Sequence, residues 1–135
     1  MKILVAVKQV PARDSLLRIG DTGLWLDEAD LAYEINEPDA YALEAALPLK
    51  EQQGGAVVVV TAGPERASTS IREALAKGAD RAIHIAEGGL EGWDALGAAR
   101  RLAAAMAGQK PDLVLTGLQS DDAGSGQTGV ALAEL

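Results

Sequence analysis

Short apolar runs rich in Val and Ile, separated by segments of helical pattern, constrain this chain more than any other feature. "ILVAV" at residues 3–7, "AVVVVTAG" at 56–63 and "DLVLTG" at 112–117 are too short for core helices, and they lack the apolar/polar alternation of a half-exposed strand. They read as parallel strands covered on both faces, with "RAIHI" at 81–85 as a shorter fourth. Parallel strands need crossovers, and helical patterns stand where crossovers belong. "EPDAYALEAALPLKEQ" puts Ala42, Ala45, Ala46 and Leu49 at helical spacing, with Pro48 predicting a kink or break. "ERASTSIREALAKGAD" puts Ile71, Ala74 and Leu75 on one face and closes at Gly78. "GWDALGAARRLAAAMAG" sets Leu96, Ala99, Leu102, Ala103 and Met106 in register and ends at Gly108.

The series predicts an α/β fold: a three-layer, doubly wound, mostly parallel sheet of strand order 3-2-1-4, forming a single domain over residues 1–135. One departure is informative. Two alternating runs flank Asp21, Thr22 and Gly23, predicting a β-hairpin inserted at about residues 15–35, after the first strand. It lengthens a loop at the carboxyl edge, where open α/β sheets bind ligands. The final "GQTGVALAEL" starts a helix and stops after about two turns, so the domain is expected to be incomplete at its carboxyl end.

Composition narrows the function. A net charge of −8 without a Lys/Arg cluster argues against nucleic acid and against a polybasic membrane patch. The absence of cysteine removes disulfides, thiolate metal sites and a cysteine nucleophile. The opening "MKILVAVKQVP" is too short for a transmembrane span or a signal-peptide core, so a cytoplasmic protein without membrane insertion is expected. No paired carboxylates, zinc spacing or nucleophile elbow occurs, so no catalytic residues of its own are expected. The lone histidine, His84, reads as a satisfied strand residue, and Trp25 and Trp93 as local packing.

The chemistry-bearing stretches are the loops at strand ends. With order 3-2-1-4, the crevice falls between the first and fourth strands, so "KQVPARD" meets "GLQSDDAGSGQTG". In the second loop Gly124, Gly126 and Gly129 allow close backbone approach. Ser125, Gln127 and Thr128 add short donors at a helix start, a combination suited to phosphate. A plain Gly-rich connection explains the same residues, and no Walker pattern is present. Asp121 and Asp122 are either a solvated turn-forming pair or ligands for ribose hydroxyls, amides or a cation, since carboxylates repel phosphate. In "EINEPDAYALE", Asn36 or Asp39 can cap the following helix, and Glu37 and Asp39 suit its dipole. "TAGPERAS" is a tight turn that keeps Thr61 and Ala62 at a strand's carboxyl end.

Taken together, "ILVAVKQVP", "INEPDAYALEAALPLKE", "TAGPERASTSIREALAKGADRAIHI" and "PDLVLTGLQSDDAGSGQTGVALAEL" resemble, in order and spacing, the amino-terminal portion of electron transfer flavoprotein beta subunits. The resemblance implies an adenine-nucleotide hydrolase-like fold and a buried AMP, or a second FAD in electron-bifurcating members. It also implies an alpha subunit that carries most of the FAD contacts. Such heterodimers take electrons from acyl-CoA and other dehydrogenases and pass them to a membrane quinone oxidoreductase.

Position by position, the resemblance places nucleotide contacts at Ala6, at Asn36, Glu37, Pro38 and Asp39, and at Ala62. It places others along the loop and helix start, at Asp122, Ala123, Gly124, Ser125, Gly126, Gln127, Thr128, Gly129 and Val130. Pro38 comes one position later than the family's proline, and Val130 stands where some members carry Gln. A universal-stress-like ATP-binding regulatory module on the same fold is the alternative; the inserted hairpin and missing final strand weigh against it. An ATP pyrophosphatase would need S-G-G-x-D-S after the first strand, where "VKQVPARD" stands.

Overall fold

The structure, a computed structural model, describes residues 1–88 and 93–135. In chain order it contains β1 (Lys2–Ala6), β2 (Gln9–Pro11), β3 (Tyr33–Ile35), α1 (Glu37–Gln53) and β4 (Ala56–Gly63). A 3-10 turn at Glu65–Ala67 then leads into α2 (Ser68–Ala76), followed by β5 (Arg81–Ala86), α3 (Ala95–Ala107), β6 (Leu113–Thr116) and α4 (Thr128–Glu134). The four parallel strands lie in the order β5-β4-β1-β6, which is the expected 3-2-1-4.

The apolar runs form the middle of three layers because neighbouring residues face opposite ways. Ile3 and Val5 of β1, with Val57 and Val59 of β4, pack against Leu43 and Ala46 of α1 and Ala74 of α2. Leu4, Val58 and Val60 pack against Leu102 and Met106 of α3, with Leu132 of α4 beside them. Each fully buried side chain of this kind stabilises the fold by about 1.5–3 kcal/mol. The edge strand β6 departs from the expectation of complete burial: Val114 is 37% exposed, and among the described residues β6 has a strand neighbour only on the β1 side.

Three helix readings need correction. Helix α1 runs unbroken across Pro48. Both Pro48 and Glu44, whose carbonyl loses its partner, lie on the exposed side, so that carbonyl is open to solvent. Its buried stripe is Asp39, Leu43 and Ala46, while Ala45 faces out. In α2, Ser70 and Ala74 are buried but Leu75 is exposed. That helix does end as expected at Gly78: Gly78 N–H donates to Leu75 O at 3.1 Å and Ala79 N–H to Ala74 O at 3.2 Å, a Schellman closure. Helix α3 buries Ala99, Leu102 and Met106 and leaves Leu96 exposed. It is capped by Asp94, whose Oδ1 accepts Gly97 N–H at 2.6 Å. Gly92, which opened the helical pattern in the sequence, lies outside the described residues.

The carboxylate of Asp80 joins α1 to the sheet. It accepts Val57 N–H at 2.8 Å and lies 3.1 Å from Lys50 Nζ, and the Val57 amide, then Lys50, hold it below its ordinary pKa. A carboxyl whose folded-state pKa is depressed stabilises the fold above its unfolded value, and that contribution is lost as pH falls through the lower, folded value. Urea denaturation of Asp80→Asn should accordingly lose less stability than the parent between neutral and strongly acidic buffer. An identical acid limb would count against this role.

The insertion also departs from its predicted bounds. Its paired stem is β2 with β3, antiparallel with Val10 opposite Glu34, so it begins at Gln9 rather than near residue 15. Nearer the tip only an isolated Ile19–Leu26 bridge remains, closed by Gly20 N–H to Trp25 O at 2.8 Å. Val10 and Ile35 are buried whereas Leu16, Leu17 and Leu24 are exposed, so the alternation that marked residues 15–26 finds no core to face.

The stem is anchored to α2 by Gln9. Its Nε2 donates to Thr69 Oγ1 at 2.9 Å and Ser70 Oγ at 3.1 Å, and its Oε1 accepts Arg66 Nη1 at 2.8 Å. The Arg66 guanidinium lies 3.9 Å over the Tyr33 ring. Arg66→Ala leaves the Gln9 carbonyl without its donor and should cost about 1–3 kcal/mol in urea denaturation. A loss below about 0.5 kcal/mol would show that water replaces the guanidinium without penalty.

Candidate functional site

From β1 the chain passes through α1 and α2 on one face to β4 and β5, then returns through α3 on the other face to β6. The strand order therefore reverses between β1 and β6, and the loops leaving those strands meet at the carboxyl edge. Ala6, at the end of β1, is in register with Val60 on one side and Thr116 on the other. Ala6 and Ala62 lie on the α3/α4 face, where Leu4, Val58 and Val60 precede them. On β1 and β4 the side chains of that face thus shrink to methyl groups towards the carboxyl edge, while β5 keeps Ile85 beside Ala62. Ala62 is one strand further in than Ala6, and Thr61 beside it is spent on structure, its Oγ1 donating to Val7 O at 3.0 Å.

The Gly-rich loop closes the other side. Gly124 and Gly126 have φ of 61° and 62°, a backbone that side chains rarely adopt, so these turns do require glycine. Gly124 N–H donates to Ser120 O at 2.9 Å, which commits that amide within the loop. Ala123 and Ser125 are exposed, Gln127 precedes α4, and Thr128 and Gly129 form its first residues. A Cβ built on Gly129 would collide with Thr116 Oγ1, so the start of α4 sits directly on the end of β6. Val130, 68% exposed, faces away from that contact.

The first turn of α1 does something the sequence did not disclose. Asn36 occupies the N-cap position without a side-chain capping bond. Its Nδ2 donates to Gln119 O at 2.9 Å and its Oδ1 accepts Asp121 N–H at 2.9 Å. Asp39, expected as an alternative cap, is buried: Oδ2 accepts Lys8 N–H at 2.8 Å and Oδ1 accepts Gly117 N–H at 3.0 Å. Burial pushes the Asp39 carboxyl above its ordinary pKa, against the pull of the Lys8 amide, Asn36 and the Gly117 amide. Glu37 is half-buried and pairs with Arg13.

The two acids are cation-paired rather than merely solvated. Asp122 lies 2.6 Å from Lys8 Nζ, and Asp121 lies 3.3 Å from Arg13 Nη2. Burial raises the Asp122 carboxyl, but bonds from Lys8, Ser120 and the Ala123 amide outweigh it and leave the pKa below the ordinary value. Both pairs are solvent-facing and contribute little to stability. Their effect is geometric: basic residues from the loop after β1 grip the loop after β6. Lys8, Arg13, Gly117, Gln119 and Ser120 were missed as site residues. The available signal was Lys8 directly after a strand at the reversal, opposite an acid pair.

The remaining singled-out residues have structural roles. His84 Nε2 lies 3.1 Å from Gly63 O, Trp25 Nε1 donates to Glu28 at 3.0 Å, and Trp93 lies under the Arg101 guanidinium at 4.0 Å. Among the described residues no group of His and carboxylate side chains is placed to hold a metal ion.

Fold and site together define a doubly wound α/β domain in which the loops after β1 and β6 meet at the strand-order reversal. The model of the electron transfer flavoprotein domain matches residues 23–135, and the chain belongs to that family. It is 42% identical to the electron transfer flavoprotein subunit beta of Methylophilus methylotrophus, over 98% of this chain and 51% of the relative. It is 38% identical to protein FixA of Azorhizobium caulinodans, over 99% of this chain and 49% of the relative. Subunit CarD of the caffeyl-CoA reductase-Etf complex of Acetobacterium woodii is 39% identical, over 99% of this chain and 52% of its own length. The chain spans about half the length of the curated relatives it matches. Among the described residues no helix is long and apolar enough to cross a membrane.

Proposed function

We propose that this chain is the nucleotide-binding part of a cytoplasmic electron transfer flavoprotein beta subunit, holding AMP, or a second FAD, in the crevice between β1 and β6. In that reading it has no catalytic groups of its own. It supports an FAD held mainly by an alpha subunit, and the heterodimer carries electrons from acyl-CoA or other dehydrogenases to a quinone oxidoreductase. The observation that carries the reading is the convergence, at the strand-order reversal, of the Gly-rich loop, the α1 start and the methyl-lined end of β1. Adenine is a flat apolar group, suited to Ala6 and Ala62, while a phosphate needs backbone donors such as those at residues 125–129.

The family membership supports the electron-carrier class, and the names of the relatives support an alpha partner. The test is mass spectrometry of nucleotide released on denaturing the chain purified with a co-expressed alpha subunit. AMP beside the alpha subunit's FAD is expected. FAD alone, in excess over the alpha subunit's own, would assign a second flavin to this site. Release of no adenine nucleotide attributable to this chain would overturn the proposal.

A further inference from the structure

The loop after β1, the loop after β6 and the start of α1 must hold fixed positions for a site at the strand-order reversal to exist, and two buried side chains join all three. Asn36 is 1% exposed and Asp39 8%, both on the first turn of α1. Asp39 Oδ2 takes the amide of Lys8, the second residue past β1, at 2.8 Å, and its Oδ1 takes the amide of Gly117, the first residue past β6, at 3.0 Å. Asn36 takes the next stretch of the same loop, donating to Gln119 O and accepting Asp121 N–H, both at 2.9 Å. The backbone also closes this corner, with Asn36 N–H donating to Lys8 O at 2.9 Å.

Ordinary capping would have turned these side chains back on α1's own amides. Both are aimed outward instead, at backbone groups of the loops that leave the paired strands β1 and β6 at the order reversal. A carboxylate with one amide on each oxygen fixes the separation of the two strand ends, as no apolar side chain could. Lys8 and Arg13 add an outer set of contacts to Asp122 and Asp121, but these are solvent-facing and weak by comparison.

We propose that Asn36 and Asp39 are positioning residues: their side chains set the spacing and register of the loops after β1 and β6, and so give the Gly-rich loop the placement that nucleotide binding requires. This rests on the nucleotide reading of the crevice, and it differs from direct contact because both side chains are buried and turned onto backbone groups of the loops.

The test combines amide hydrogen exchange, AMP calorimetry and the 31P resonance of bound AMP, on the chain and on Asp39→Asn and Asn36→Ala. Asp39→Asn puts a donor where an acceptor is needed. The Lys8 and Gly117 amides should then lose about tenfold in protection while Val58 in the sheet interior keeps its own. AMP affinity should fall about tenfold or more in both variants, with a displaced bound 31P resonance. Arg66→Ala, which loosens the insertion, should leave affinity and resonance unchanged. Lost protection at Lys8 and Gly117 with unaltered affinity and resonance would overturn the positioning role, as would retained protection. If Asp39→Asn does not fold, unaltered affinity and resonance in Asn36→Ala would overturn it equally. Failure of the parent chain to bind AMP would instead strike the nucleotide reading, with the exchange result still deciding whether the side chains hold the loops.

Discussion

Gly117→Ala is expected to destabilise the fold by about 3 kcal/mol, at the upper end of what a single added methyl group costs in a packed site. A Cβ at Gly117 would stand 2.8 Å from Asp39 N and 2.8 Å from Pro38 C, and closer still to Asp39 Oδ1. Two of those atoms are helix backbone, so no rotamer change relieves the clash. Either α1 lifts from the end of β6, which loosens Leu43 and Ala46 against Ile3, Val5 and Val59, or β6 slips against β1 and disturbs Leu113 and Leu115. Both routes also break the Gly117 amide's bond to Asp39. Urea denaturation checks the cost, and Gly108→Ala is the control, since nothing lies within 4 Å of a Cβ there and its φ of −75° suits alanine. A Gly117→Ala loss below about 1 kcal/mol would mean that this corner yields, and that α1 and β6 are not held together as described.

That corner also marks where the sequence stopped being readable. The sheet was legible because Ile3, Val5, Val57 and Val59 serve one face and Leu4, Val58 and Val60 the other, leaving uniformly apolar runs that only a doubly covered parallel strand explains. The strand order and the meeting of the loops after β1 and β6 followed from the same alternation of strand and helix. The insertion was recognised but displaced. Its tip carries a clear alternation, Leu16 to Leu26, whose apolar residues stay largely exposed, whereas its true stem at Gln9–Pro11 is three residues long and contains a proline.

Side-chain commitments in the site were illegible for a different reason. Asn and Asp before a helix point, by local rules, to capping, and local rules contain no information on a backbone amide some eighty residues away. The acids followed suit: Asp121 and Asp122 read locally as a turn, and became partners of Arg13 and Lys8 only once the sheet had brought the two loops together.

Gly129→Ala is expected to weaken AMP binding by about ten- to hundredfold, the equivalent of one or two lost charge-assisted hydrogen bonds, if the phosphate lies on the loop that precedes α4. The new methyl would collide with Thr116 Oγ1 and approach Thr116 Cβ to 3.3 Å and Cγ2 to 3.6 Å. The β-branched Thr116 has few rotamers in which to retreat, so α4 and the loop before it must move off the end of β6. The second substitution, Thr116→Ala, separates this cause from a general loss of structure. It removes Oγ1 and Cγ2 and keeps the 3.3 Å approach to Cβ, which a shift of a few tenths of an ångström relieves. The double variant should regain most of the affinity, with a coupling of about 1–2 kcal/mol in calorimetry. Additive losses would show that Thr116 is not what sets the position of α4. An undiminished affinity in Gly129→Ala alone would place the phosphate elsewhere, because the loop cannot both move off β6 and keep its donors on a bound anion.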